Sequence, residues 1–546
     1  MIREEIRKSI ERGIQGLQKE KRFPAFNIPE IMVERPEQPS KGDYSTNISF
    51  QIAKPVKKSP FEIAKLITES LNGKEFFDKI EAVEPGFINF FLSEKYLQGE
   101  VQDILTQKEK FGNVSVGKGK KVNIEFVSAN PTGPLHLGHG RGAFWGDVLS
   151  NVFQRAGYKV TKEYFINDHG RQVSLLGKSI NARYLEILGE KSNMEEDFYQ
   201  GEYIKDIAKE IFEKDGKKHL SVPEEKRVKL FSEQGLQQMV KEAKSLLKKA
   251  GVEFDVWFSE SSLYKKGKIQ KTIESLKKKN MTYEKEGALW FSSTKFKDDK
   301  DRILLKASGE PTYFTSDIAY HQDKVSRKYD LLINGWGADH WGYVQRMMAA
   351  AKVFGFEKKL KIVVGQFVRL VEKGKEIKMR KRTGIFFPLK DLIEEVGIDV
   401  TRFFFLMKSV DTHIDFNLDL AKEQSSKNPV YYIQYAHARI CSILKKVKGK
   451  KKVNLGLLTH SSELGLIKQL IRFPEIIEDT SKDFQVQRVC QYTTDLATAF
   501  HQFYRDCKVL DEKEELKVAR ISLLLATQSV LKSALDVIGV SSPVKM

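Results

Sequence analysis

A doubly wound parallel α/β sheet, with a small α/β module before it and an all-α helical bundle after it, is the fold this sequence predicts. Three observations carry that expectation. Between residues 121 and 190, strand-like and helix-like runs alternate, the rhythm of βαβ units and hence of a parallel sheet. From about residue 425 onward apolar residues recur at helical spacing almost without interruption. At 546 residues the chain exceeds what a single core holds, so three or four structural units are expected.

The first unit spans residues 1–105. Ile6, Ile10, Ile14 and Leu17 give a helix from Ile2 to about Leu17, and Ile28 to Val33 reads as a strand. A second helix covers Phe61 to Leu71, and a strand pair surrounds Ile80 to Phe91, broken by Pro85-Gly86. A Gly- and Lys-rich linker, 112–121, leads to the second unit, 119–400. Its first strand, Asn123-Ile-Glu-Phe-Val, runs through a Pro/Gly turn into a helix that begins near His136-Leu-Gly-His139. Lys159 to Ile166 is the next parallel strand. It passes into Asn167-Asp-His-Gly-Arg-Gln172 and a helix from about Val173. Residues 190–285 read as a charged helical insertion, after which Ala288-Leu-Trp-Phe and Ile303-Leu-Leu are expected to resume the sheet. Leu331-Leu-Ile-Asn334 is a buried strand ending in the Gly-rich run 335–342, and helices follow over Asp391–Met407. In the third unit, 420–546, the stripe Val430, Ile433, Ala436, Ile440, Ile443 marks one helix, which a lysine run over 445–452 ends. The last helix runs from about Glu515 to Ile538, with Gly539 as its cap.

Composition narrows the function. With 92 basic and 73 acidic residues the net charge is +19, which favours a polyanion partner, nucleic acid before membrane. No run of eighteen apolar residues appears and the N-terminus is a charged helix, so a cytoplasmic protein without a membrane role is expected. Cys441, Cys490 and Cys507 form no CxxC pair; buried free thiols fit them better than a metal site, and no protein-held metal is expected.

The chemistry concentrates at the first strand-to-helix junction. A helix N-terminus offers unpaired N–H groups and a positive dipole end to an anion, glycine allows close approach, and an imidazole can donate to a phosphoryl oxygen. Taken alone, His136 and His139 read better as residues that cap a helix or satisfy a turn. The basic, Gly-ended stretch Lys378-Met-Arg-Lys-Arg-Thr-Gly384 is the second signal, suited to the far end of a triphosphate. Together the two stretches resemble the HIGH and KMSKS signatures of class I aminoacyl-tRNA synthetases. Gly42-Asp-Tyr-Ser-Thr-Asn47, the Asn-Asp-x-Gly-x-Gln phrase at 167–172 and Asn428-Pro-Val-Tyr-Tyr-Ile-Gln-Tyr-Ala-His-Ala-Arg439 resemble the arginyl branch of that family over nearly the whole chain. Arg380 departs from the signature, where the family usually has Ser.

The resemblance implies a Rossmann-type catalytic domain, an N-terminal domain that meets the corner of a tRNA, and a C-terminal anticodon-binding bundle. It implies ATP and arginine as substrates, Mg²⁺ accompanying the ATP, tRNA(Arg) as acceptor, and activation that waits for tRNA. A monomer is expected. His136, His139, Lys378 and Lys381 are implied as catalytic residues. ATP would meet Gly133, Pro134, His136, Gly138, His139, Gly337, Asp339, Met379 and Lys381. Arginine would be held by Glu125, Ser128, Asn130, Tyr313, Asp317 and His340; carboxylates suit it because a guanidinium presents its donors as a rigid planar fork. tRNA would touch Tyr44, Asn47, Tyr435 and Arg439. The rival readings are a cysteinyl or lysyl enzyme of the same class, a small-molecule nucleotidylyltransferase, and a non-catalytic tRNA binder.

Overall fold

A computed structural model describes residues 1–71, 74–377, 387–447 and 453–546. The catalytic unit is built on five parallel strands. We label β1 (Lys121–Glu125), α1 (Leu137–Arg155), β2 (Lys159–Ile166), α2 (Arg171–Ile187), β3 (Val256–Ser259), α3 (Tyr313–Ser326), β4 (Leu331–Trp336) and β5 (Leu360–Val364). The sheet order is β5-β4-β1-β2-β3, every pair parallel. The chain winds one way from β1 to β3 and the other way from β4, so the crevice beyond the carboxyl ends of β1 and β4 is the switch point where such sheets bind ligands. Val122 and Ile124 of β1, with Leu332 and Ile333 of β4, are fully buried, as expected of central parallel strands.

Two sequence expectations change here. The stretch 190–285 is not one insertion: Val256–Ser259 is the edge strand of the main sheet, paired with β2. Helices Glu202–Asp215 and Glu224–Lys249 form the true excursion, packing Ile204, Ile207, Phe231 and Met239 onto Leu176, Ile180 and Tyr184 of α2. Nor do Ala288–Phe291 and Arg302–Leu305 resume the parallel sheet. With Thr282–Lys285 they form a separate antiparallel sheet, because short connections permit hairpins but not parallel crossovers.

In the N-terminal unit the Ile2–Lys19 helix buries the expected stripe, extended to Ile2. The helix at Pro60–Ser70 starts at a reciprocal cap between Ser59 and Glu62. Of the strand expected over 28–33, only Val33–Glu34 pairs; it borders a four-stranded antiparallel sheet with Tyr44–Thr46, Phe87–Leu92 and Phe77–Val83.

The C-terminal unit is a bundle of helices Pro429–Leu444, Ser461–Leu470, Phe473–Asp483, Gln487–Asp506 and Glu514–Ile538. Val430, Ile433, Ala436, Ile440 and Ile443 are all buried, and Gly539 ends the last helix at φ +68°. That last helix has the length and apolarity of a membrane span, yet most of it is buried within the bundle, which marks a core helix.

Buried charge ties the units together. Arg402 donates to Ile538 O (3.0 Å) and Ala250 O (2.9 Å) and pairs with Asp147 of α1. Helix Phe473–Asp483 receives the N-terminal unit: Arg3 pairs with Glu478 and Asp479, each at 2.8 Å, and Arg35 with Glu475 at 3.0 Å. The Tyr44 hydroxyl donates to the same Glu475 at 2.6 Å.

Candidate active site

His136 is the N-cap of α1, and the signature turn is held by its own side chains. Gly138 N–H donates to His136 Nδ1 (3.1 Å), and His136 N–H donates to His139 Nδ1 (3.2 Å). The rings stack with centroids 3.6 Å apart. Burial lowers His136 to about 4; burial, then the neighbouring His136, lowers His139 to about 3. Both imidazoles are therefore neutral at physiological pH. With each Nδ1 accepting a backbone N–H, each Nε2 carries the proton and is a donor. Two neutral donors at a helix N-terminus form a site for an oxyanion.

Beside them lies a cavity of about 430 Å³ at the ends of β1, β4 and β5, lined among others by Ser128, Asn130, Gly337, Asp339 and His340. Arg141 of α1 donates to Gln366 O (2.9 Å) and Ser409 O (2.6 Å), fixing the far wall. Val127 and Ser128, leaving β1, sit at φ +68° and +38°. For a β-branched residue this is strained backbone, of the kind that rigid surroundings hold at functional sites. Gly335 is required on β4: a Cβ there would lie 2.6 Å from the Trp145 ring.

An acidic cluster adjoins this cavity. Glu125 ends β1 almost buried; its Oε2 takes the Lys324 ammonium at 2.5 Å and its Oε1 the Ser128 hydroxyl at 2.9 Å. Asp317, in the first turns of α3, is pushed up to about 7 by burial, offset by a hydrogen bond from Tyr343 and reinforced by the nearby Glu125. Glu260, just past β3 and 2% exposed, is raised to about 7 as well, by burial first, with Asp317 and Asp168 adding repulsion. Neither Asp317 nor Glu260 has an ion pair among the described residues. A half-buried and a buried carboxyl that both resist ionisation are each stabilised by a nearby cation.

Of the sequence-predicted residues, Ser128, Asn130, His136, Gly138, His139, Gly337, Asp339 and His340 line this cavity together. Asn130 is exposed at its mouth, 3.2 Å from the Asn167 side chain; with its amide turned to satisfy both ends, Asn167 donates to Glu260 Oε2 at 2.7 Å. Tyr313 is half exposed with its hydroxyl over Gly170, where a Cβ would approach to 2.9 Å. His340 stands exposed, its Nε2 3.4 Å from Asp339. Gly133 and Pro134 line a neighbouring cleft toward Glu202–Asp215 and not the cavity beside the histidines; there the Tyr203 hydroxyl donates to Thr132 O (2.7 Å). Lys378, Met379 and Lys381, with Arg380, lie outside the described residues. Just after them, Leu389 N–H donates to Leu135 O (2.8 Å), so the chain returns directly to the signature turn.

Among the residues expected to touch tRNA, Tyr44 needs correction. It is completely buried and its hydroxyl is committed to Glu475, so it joins two units and offers no face to RNA. Asn47 is exposed beside a cavity of about 350 Å³ that half-exposed Met32 and Phe87 also border. Arg439 lies over the Tyr435 ring at 5.0 Å and the Tyr504 ring at 4.5 Å, an aromatic–cationic surface on the bundle. Glu260 is the functional candidate that sequence reasoning missed. Its neighbours in sequence carry no motif, and only folding brings it to Asp317.

Comparison with known proteins agrees with this geometry. Residues 2–92 match the arginyl tRNA synthetase N terminal domain, residues 100–413 the tRNA synthetases class I (R) catalytic domain, and residues 433–546 the DALR anticodon binding domain. The chain belongs to the arginyl-tRNA synthetase family. It is an aminoacyl-tRNA ligase with a class I catalytic domain. The arginine–tRNA ligase of Caldanaerobacter subterraneus is 45% identical, covering 100% of this chain and 99% of that one. Arginine–tRNA ligase 1 of Halalkalibacterium halodurans is 46% identical over 95% of each. Among solved structures, a putative arginyl-tRNA synthetase from Campylobacter jejuni superposes with TM-score 0.77 at 36% identity, covering 83% of this chain and 100% of its own. The Thermus thermophilus arginyl-tRNA synthetase, at 21% identity, shares the fold over the full length of both chains with TM-score 0.79.

Proposed function

We propose that this arginyl-tRNA synthetase joins arginine to tRNA(Arg) in two steps within the cleft between β1, β4 and α3. The observation that carries the assignment is the pair Asp317 and Glu260, a half-buried and a buried carboxyl that lie near one another and near Glu125 at the end of β1, with no ion pair among the described residues. A guanidinium offers a planar fork of permanent positive charge and suits such a pair. Tyr313 would cover the side chain, while Glu125, Ser128 and Asn130 would hold the α-ammonium end and His340 a further polar contact.

The arginine carboxylate would then attack the α-phosphorus of ATP in line, forming arginyl-adenylate as the bond to pyrophosphate breaks. Nothing here requires a covalent enzyme intermediate; the chain supplies orientation and charge stabilisation. The Nε2–H groups of His136 and His139 would donate to the α-phosphate oxygens as charge builds. ATP would also meet Gly138, Gly337, Asp339 and Met379, with Lys378 and Lys381 taking the departing pyrophosphate. Mg²⁺ would come with the triphosphate, screening its charge. The 2′-hydroxyl of the terminal adenosine of tRNA, the usual class I acceptor, would then take the arginyl group and release AMP. Asn47, Tyr435 and Arg439 are the candidate tRNA contacts. The protein would act in the cytoplasm as a monomer.

Charging of tRNA with each labelled amino acid in turn, with ATP and Mg²⁺, tests the reading. Arginine alone is expected to give substantial product; charging with lysine or cysteine at a similar rate would overturn it.

A further inference from the structure

We propose that Lys324 is a positioning residue for arginine: it fixes one oxygen of the Glu125 carboxylate so that the other, shared with Ser128, faces the cleft and takes the substrate's α-ammonium. This inference rests on the reading of the cleft as an arginine site and assigns a task to a group that the reaction itself leaves unused.

A lysine is almost never fully buried unless paired, and the Lys324 side chain has no exposed surface. It lies two helical turns beyond Asp317 on the same face of α3. Its ammonium donates to Glu125 Oε2 (2.5 Å) and Asn334 Oδ1 (3.1 Å) and sits 4.4 Å from the centre of the Tyr320 ring. The neighbours fix its partners in turn. His321 Nδ1 lies 2.8 Å from Asp317 O, and His321 Nε2 lies 2.8 Å from Asn334 Nδ2. Burial and the Lys324 charge lower His321 to about 3, so it is neutral, with its proton on Nδ1 toward the carbonyl. Nε2 then accepts from the Asn334 amide, which turns Asn334 Oδ1 toward Lys324. The closed circuit ties the end of β1, the end of β4 and the Asp317 turn of α3 in one orientation.

The charges facing Glu125 are arranged to leave this pair intact. Glu163, next to it on β2, is satisfied separately by Arg327 (2.6 and 2.8 Å), Tyr320 (2.7 Å) and Asn123 (2.8 Å). Asp317 and Glu260 are left for the guanidinium, while Glu125, held by Lys324 through Oε2, accepts at Oε1 from the hydroxyl of Ser128, which lines the cavity. A rotated Glu125 would lose that presentation even with its charge unchanged.

The test is a double-mutant cycle of Lys324→Met and Glu125→Gln, read as KM for arginine, KM for ATP and thermal stability, in tRNA charging by the full chain. Lys324→Met is expected to raise the arginine KM by roughly 10- to 100-fold, the worth of a charge-assisted hydrogen bond, with the ATP KM within about twofold. The double variant removes the buried charge and its partner together, so it remains measurable if Lys324→Met folds poorly. Its arginine kcat/KM should match that of Glu125→Gln alone to within about twofold. Losses that multiply in the double variant, or a Lys324→Met protein that melts lower but keeps the wild-type arginine KM, would overturn the proposal. A wild-type chain unable to charge tRNA with arginine would overturn the underlying reading as well, which separates the two failures.

Discussion

Replacing Asp317 by Asn should make the arginine-free protein more stable at pH 8 while it abolishes arginine binding. Asp317 is pushed up to about 7, above its ordinary 3.8, so the folded chain holds that proton more tightly than the unfolded chain does. The stabilisation from the proton is complete below the unfolded value and is lost as pH rises through the folded one. At 1.36 kcal/mol per unit over about three units, the ionised carboxylate costs the empty fold up to about 4 kcal/mol at pH 8. Asparagine carries no charge and keeps the shape. After allowing for the weaker bond to Tyr343, a gain of about 1–3 kcal/mol is expected at pH 8 and close to none at pH 5. Arginine reverses the balance, since its guanidinium pairs with the ionised form. One carboxyl titrating near 7 should improve affinity about tenfold between pH 6 and 8, and Glu260 with Asp317 together up to about a hundredfold. Denaturant melts at pH 5 and 8 with and without arginine measure the first effect. Calorimetric titration in two buffers of different ionisation heat counts the protons released. An Asp317→Asn protein destabilised equally at both pH values, or an arginine affinity flat from pH 6 to 8, would refute the reasoning.

Three further outcomes are expected. His136→Asn or His139→Asn should lower kcat by about 10²- to 10³-fold while the arginine KM stays within about twofold. Because burial holds these rings at about 4 and 3, the wild-type rate should show no histidine limb between pH 6 and 9; a limb that vanishes in either variant would contradict the neutral-donor role. Tyr44→Phe strips the buried Glu475 of a hydrogen bond and should cost about 1–3 kcal/mol of stability by chemical denaturation, with the tRNA KM unchanged once folded. ATP–pyrophosphate exchange with arginine should be negligible until tRNA(Arg) is added; robust exchange without tRNA would remove the expected tRNA dependence.

How far the fold and cleft could be read from the chain differs by element. The β1-turn-α1 junction was legible because a buried strand, a Pro/Gly turn and a helix start follow one another locally, and the turn's hydrogen bonds come from its own histidines. The stripe of Pro429–Leu444 was legible for the same reason. Val256–Ser259 was not: four residues after a long charged helix give too little alternation to mark a strand, and its pairing with β2 is long-range. Ala288–Phe291 had strand composition, but composition does not say which sheet a strand joins. In the cleft, Asp317 and Tyr313 share a helix face visible in their spacing, whereas Glu260 acquires its meaning only from carboxylates remote in sequence. Tyr44 misled because a tyrosine in a turn-rich stretch reads as exposed, and the helix that buries it lies at the other end of the chain.

Competition between arginine and citrulline for tRNA charging probes the guanidinium pocket most directly, because citrulline keeps the shape and removes the charge. With Asp317 and Glu260 left facing a neutral group, citrulline should be rejected by at least about 10⁴-fold in kcat/KM, without hydrolysis of any mischarged product. Charging of citrulline within about a hundredfold of arginine would mean that the paired carboxylates do not read the guanidinium charge.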